Sequence, residues 1–107
     1  MNVESNNPIK CTVALAALEN VFDPEIGLNV VDLGLIYKID FLEEAKSIEC
    51  SMTLTTQNCP MSESITENIE HALRECFLGY TIQTNLVFIP AWSYERISDS
   101  GKEFLNR

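Results

Sequence analysis

The order in which hydrophobic periodicities follow one another is the strongest constraint on what this chain can fold into. Apolar residues at Cys11, Ala14, Leu15, Leu18, Val21 and Phe22 recur at helical spacing. Asn7 stands where a cap is wanted, and Pro8 at the first helical position, where its missing N–H costs nothing. Pro24 is expected to stop this helix. Leu35, Tyr37, Ile39 and Phe41 then alternate with Ile36, Lys38 and Asp40. After a charged turn over residues 42–47, Ile48, Cys50, Met52 and Leu54 alternate again, which predicts a hairpin with one buried face. Helical spacing resumes at Met61, Ile65, Ile69, Ala72, Leu73, Cys76 and Phe77, with Gly79 where a C-terminal cap belongs. Ile82, Thr84, Leu86 and Phe88 give a third strand before Pro90. Residues 93–105 read as one or two short helical turns capped by Ser93 or Ser98.

This succession predicts an α+β fold: a small two-layer domain in the order α-β-β-α-β-α, with a mixed three-stranded sheet and helices packed on one face. Residues 1–107 are read as a single domain, of which 1–6, all but Val3 polar or terminal, are expected to be disordered. With 46% hydrophobic and 21% charged residues, the chain has enough apolar surface for a core without staples.

Sixteen carboxylates against seven basic side chains give a formal charge of −9. That balance leaves little for gripping phosphate backbones or an anionic membrane surface, so neither nucleic acid nor membrane is expected as a partner. A KH-type RNA-binding module has a related element order, but no GxxG clamp occurs and the charge has the wrong sign. The N-terminal residues lack the charged, apolar and cleavage regions of a signal peptide, and the expected compartment is the cytoplasm.

In a reducing compartment the four cysteines are expected to be free thiols. They include no CxxC pair, and His71 is the only histidine, so no structural zinc ligand set is recognisable. Cys11, Cys50 and Cys76 fall on apolar faces and read as small buried hydrophobes. Cys59 differs: in TTQNCP it stands between the second strand and the second helix, with Pro60 at a position proline favours inside a helix. Unpaired N–H groups and the helix dipole at such a place stabilise a thiolate, the form that binds metal or attacks an electrophile. Position alone leaves that reading level with a tolerated cap residue. Thr55 and Thr56 are either hydroxyl donors to such a thiolate or ordinary turn residues at a strand end. Asp23 and Glu25 are either the start of a turn or a pair of carboxylate ligands for iron.

DPEIGLNVVDLGLIY over residues 23–37, MTLTTQNCP over 52–60, and IPAW followed by ERIS together resemble the iron-sulfur cluster assembly domain family, whose members include SufT-like and PaaD-like proteins. The resemblance runs from the first helix to Leu105. Carried over by position, it implies a functional surface of Asp23, Glu25, Asp32, Thr55, Thr56 and Cys59, with Cys59 as the metal ligand. Trp92 is a weaker candidate, equally readable as a packing anchor. The family pattern has two prolines before this tryptophan, and here Ala91 replaces one.

The resemblance implies a maturation factor for iron-sulfur proteins that carries a cluster or docks clients onto assembly machinery. One cysteine falls short of the roughly four thiolates a cluster uses, so a transient cluster, or iron, would be shared between chains, as in a homodimer. Two alternatives stay open: a non-catalytic adaptor of a multisubunit oxygenase-type complex, and a thiol-based redox protein. Enzymatic use of Cys59 lacks a base, because His71 lies about 18 Å further along the helix axis.

Overall fold

The structure, a computed structural model, describes residues 3–55 and 62–106. Helix α1 (Pro8–Leu18) starts as its sequence dictates, with the Asn7 side chain accepting the Lys10 N–H at 3.1 Å. It ends at Leu18, earlier than the periodicity through Phe22 implied. Beyond it the backbone of Val21 and Asp23 pairs with Val30 and Leu28, and Phe22 bridges Asn29. Val21 is buried and Phe22 exposed, as on a strand. This local pairing takes over the backbone groups a longer helix would have used.

Strands β2 (Ile36–Leu42) and β3 (Ser47–Met52) form the expected antiparallel hairpin, and β4 (Thr81–Leu86) lies parallel to β3. Parallel neighbours need a crossover, supplied by α2 (Ser62–Cys76). The expected three-stranded sheet is corrected to four strands in the order β1-β2-β3-β4. Its extra member, β1 (Glu4–Ser5), pairs parallel to β2 within the stretch expected to be disordered. Asn6 completes the junction: its amide donates to the Phe41 carbonyl and accepts the Phe41 N–H, both at 2.9 Å. A polar side chain here imitates a strand's backbone, which hydrophobic patterning does not register.

A register shift between Ile36 and Lys38 changes the phase of β2. Ile36 joins Ile39 and Phe41 in the core, whereas Tyr37 turns to the surface side. Ile39, Cys50 and Thr84 lie side by side across three strands, as do Phe41, Ile48 and Ile82. Cys11, Ala14 and Leu18 of α1 and Ile65, Ile69 and Leu73 of α2 complete the same cluster, and the two helices pack on each other. Burying each such aliphatic side chain contributes roughly 1.5–3 kcal/mol.

After β4 the chain forms a 3₁₀ turn (Tyr94–Arg96) and helix α3 (Asp99–Leu105), with Ser98 capping α3 by accepting the Gly101 N–H at 3.0 Å. Among the described residues no helix is long and apolar enough to cross a membrane.

Candidate functional site

Two acidic turns separate α1 from β2. In the first, the Asp23 carboxylate is turned inward and buried, where one oxygen accepts the N–H groups of Glu25 at 2.9 Å and Ile26 at 3.3 Å. The Gly27 N–H closes the loop on the Asp23 carbonyl at 2.8 Å. Pro24 fits this geometry, since its fixed φ initiates a turn and an aspartate before it caps the following N–H groups. Glu25 is left exposed at the tip.

The second turn, Asp32 to Gly34, is held from both sides. Asn29 donates its amide to one Asp32 oxygen at 2.7 Å and accepts the Asp32 N–H at 2.8 Å. From the far end of the chain, the Ser98 hydroxyl donates to the other Asp32 oxygen at 2.7 Å, and the Ser98 N–H to the Asp32 carbonyl at 2.8 Å. Trp92 donates its indole N–H to the Leu33 carbonyl at 2.6 Å, and Arg96 its Nε–H to the Gly34 carbonyl at 3.1 Å. Three consecutive turn residues are thus gripped by one C-terminal arm, residues 89–105. The Arg96 guanidinium also sits 4.1 Å from the Tyr37 ring centroid, and the Tyr37 hydroxyl donates to the Pro90 carbonyl at 2.8 Å. Gly34 has φ +76°, and a Cβ there would stand 2.3 Å from the Arg96 carbonyl oxygen, so only glycine permits this approach.

The turn in turn fixes the end of β3, because the Thr53 N–H donates to the Leu35 carbonyl at 2.8 Å. Thr53 is fully buried, and its hydroxyl has no hydrogen-bond partner among the described residues. Thr55 follows, half-buried, in a bend. Thr56 and Cys59 lie outside the described residues. The structure therefore brings Asp32 and the stretch leading to Thr55 together through Leu35, and gathers Asp23 with Glu25 in a neighbouring loop. Asn29, Thr53, Arg96 and Ser98 were not singled out by sequence reasoning as parts of this region. Ser98 was visible as a cap, but its attachment to Asp32 joins residues 66 positions apart in sequence and has no local signature.

The other thiols separate by burial. Cys50 is sealed in the core, where loss of solvent, with a smaller contribution from nearby Cys11, pushes its pKa up to about 12. Burial also raises the Cys11 pKa, against a smaller lowering from Ser5. Both stay protonated and inert near neutrality. Cys76 departs from the expectation of a buried residue and is exposed, because α2 carries it past Leu73, its last fully buried position. His71 is exposed and paired with Glu75 at 2.7 Å, one turn along α2. Among the described residues no group of three or more His, Cys, Asp or Glu side chains is gathered to hold a metal ion.

Comparison with known proteins matches residues 12–78 to the family described as iron-sulfur cluster assembly protein. That stretch contains both acidic turns and the threonine-cysteine segment and excludes the arm. The chain is 33% identical over 88 residues to the Fe-S protein maturation auxiliary factor YitW of Bacillus subtilis, covering 82% of this chain and 85% of that one. It is 34% identical over 82 residues to the Fe-S protein maturation auxiliary factor SufT of Staphylococcus aureus, covering 77% and 92%. Among solved structures, a domain of unknown function from Bacillus anthracis superimposes with a TM-score of 0.83 at 32% identity, covering 94% of this chain and 98% of that one. The family match spans well over half the chain and these relatives are covered nearly end to end, so the chain belongs to the iron-sulfur cluster assembly protein family.

Proposed function

We infer that this protein is a non-enzymatic, cytoplasmic maturation factor for iron-sulfur proteins, acting on clusters as cargo through the Cys59 thiolate. The names of its relatives support the maturation role. The observation that carries the thiol assignment is the burial of Cys11 and Cys50, which removes both from metal chemistry and leaves Cys59 and Cys76. Of these two, Cys59 follows the threonine pair in the matched sequence motif, and Cys76 stands at the end of α2. One thiolate cannot complete a cluster's ligand shell. The remaining ligands therefore come from another molecule: a client, a small thiol or a second copy. Incomplete ligation suits transfer, because the cargo leaves by ligand exchange.

Anaerobic reconstitution with iron and sulfide tests this reading. Iron per chain and the visible charge-transfer bands should be lost in Cys59→Ser and retained in Cys76→Ser. Equal iron in wild type and Cys59→Ser would sink it. Maleimide labelling at pH 8 checks the thiol ranking independently, with Cys59 and Cys76 modified readily and Cys11 and Cys50 only after unfolding.

A further inference from the structure

We propose that the cleft between the arm and the sheet binds a small zwitterion, a molecule with one carboxylate and one ammonium group, Arg96 taking the carboxylate and Glu4 the ammonium. This site goes beyond the maturation role, and the threonine-cysteine segment takes no part in it.

Strand register builds the floor of the cleft. Glu4 of β1 is aligned with Lys38 of β2, and Lys38 with Ser51 of β3, so the three side chains stand in one row across the sheet. The next residues along, Ile39 and Cys50, point into the core, which leaves this row on the opposite face of the sheet, away from α1 and α2. Pro90 and Arg96 of the arm, with the Tyr37 ring, border the row and complete a cleft of about 310 Å³. That volume lies at the small end of ligand sites.

Charge selects the ligand. Of the two described arginines, Arg74 faces Glu70 at 3.9 Å, whereas Arg96 forms no ion pair among the described residues. Its Nε–H is spent on the Gly34 carbonyl and its guanidinium lies over the Tyr37 ring. The group is thus held in place while its terminal Nη groups carry no hydrogen bond to a described residue. A guanidinium mounted this way presents the two-pronged edge that matches a carboxylate or a phosphate. The rest of the cleft decides between them. Lys38 is already paired with Asp40 at 3.3 Å, and Glu4 is exposed without a partner among the described residues. The cleft therefore carries one unpaired positive and one unpaired negative charge. A dianion would meet Glu4 and the field of a chain carrying −9, whereas a net-neutral zwitterion satisfies Arg96 and Glu4 together. The Ser51 hydroxyl, half-buried on the floor, offers a further donor or acceptor.

Nuclear magnetic resonance titration of the reduced protein, without added iron, tests the site with glycine, 4-aminobutyrate and 6-aminohexanoate, each to about 50 mM at constant ionic strength. At least one of the three should shift the Arg96 Nε–H and the Lys38 and Ser51 amide signals to saturation, with a dissociation constant of about 1–10 mM. Acetate and inorganic phosphate should bind at least tenfold more weakly. Arg96→Lys, which keeps the charge and loses the fork, should weaken the zwitterion at least tenfold. Since Arg96 also holds the second turn, Glu4→Gln supplies a variant outside the arm. It should weaken the zwitterion and bring acetate level with it, with the rest of the spectrum unchanged. Three outcomes would each overturn the proposal: no saturating shift with any of the three zwitterions, acetate or phosphate bound as tightly as the zwitterion by wild type, or a zwitterion affinity untouched by Glu4→Gln. Iron is absent throughout, so these outcomes are separable from that of the reconstitution above.

Discussion

The two acidic turns between α1 and β2 look alike in sequence and are built by opposite means. Asp23 closes its turn on itself, with every bond reaching no further than Leu28. Asp32 holds a turn whose partners include Trp92, Arg96 and Ser98, contributed by the far end of the chain. The first turn is an autonomous local structure, and the second is a joint between the family-matched stretch and the arm. An aspartate in a loop is therefore no guide to its use until the reach of its hydrogen bonds is known.

The largest effect separating the two turns is expected at their glycines. Gly27 and Gly34 both have positive φ, but an added Cβ meets nothing within 4 Å at Gly27 and the Arg96 backbone at Gly34. Gly34→Ala should cost about 3 kcal/mol, combining left-handed strain with displacement of the arm, and Gly27→Ala about 1 kcal/mol from strain alone. Urea denaturation of the two variants checks the ratio. Equal costs would mean that the arm yields freely and does not hold the turn.

Removing the aspartates should give the next largest effects. Asp32→Ala strips the anchor from both Asn29 and Ser98 and should cost about 2 kcal/mol, since hydrogen bonds to a charged group are the stronger kind. Amide exchange should then accelerate at Ser98 and Gly101, more than 60 positions away in sequence. Asp23→Ala should cost about 1 kcal/mol, with faster exchange confined to Glu25 and Ile26, the loss of a cap. Exchange spreading into the arm in the Asp23 variant would mean that the first turn is coupled to the arm as well.

This contrast also explains what could be read in the sequence. Periodicity placed both long helices, three strands and the capped tail, because each is written within a few residues. It overran α1, since Val21 and Phe22 keep a helical pattern while their backbone pairs across the first turn. Strand β1 leaves no such trace, because its two residues are polar and Asn6, not a hydrophobic contact, ties them in. Simple alternation puts Tyr37 on the wrong face, because a single-residue register shift leaves the composition of β2 unchanged. Of the family-implied surface residues, Asp23, Glu25, Asp32 and Thr55 are placed by the structure, and the role of Asp32 in holding the arm depends on contacts no local pattern encodes.

Thr53 marks the point where the second turn is passed on to the segment leading to Thr55, and it carries the smallest of the expected effects. Its N–H is satisfied by Leu35, and its hydroxyl, fully buried, has no partner among the described residues. A buried hydroxyl left unpaired costs about 1–3 kcal/mol, and selection for stability alone would favour valine, which has nearly the same shape. Thr53→Val should therefore raise stability by about 1 kcal/mol, visible as a higher urea midpoint with an unchanged slope. If iron incorporation on reconstitution falls at the same time, the hydroxyl is retained for the cargo. If stability falls as well, the hydroxyl already has a partner in the folded chain that holds the turn to the segment leading to Thr55.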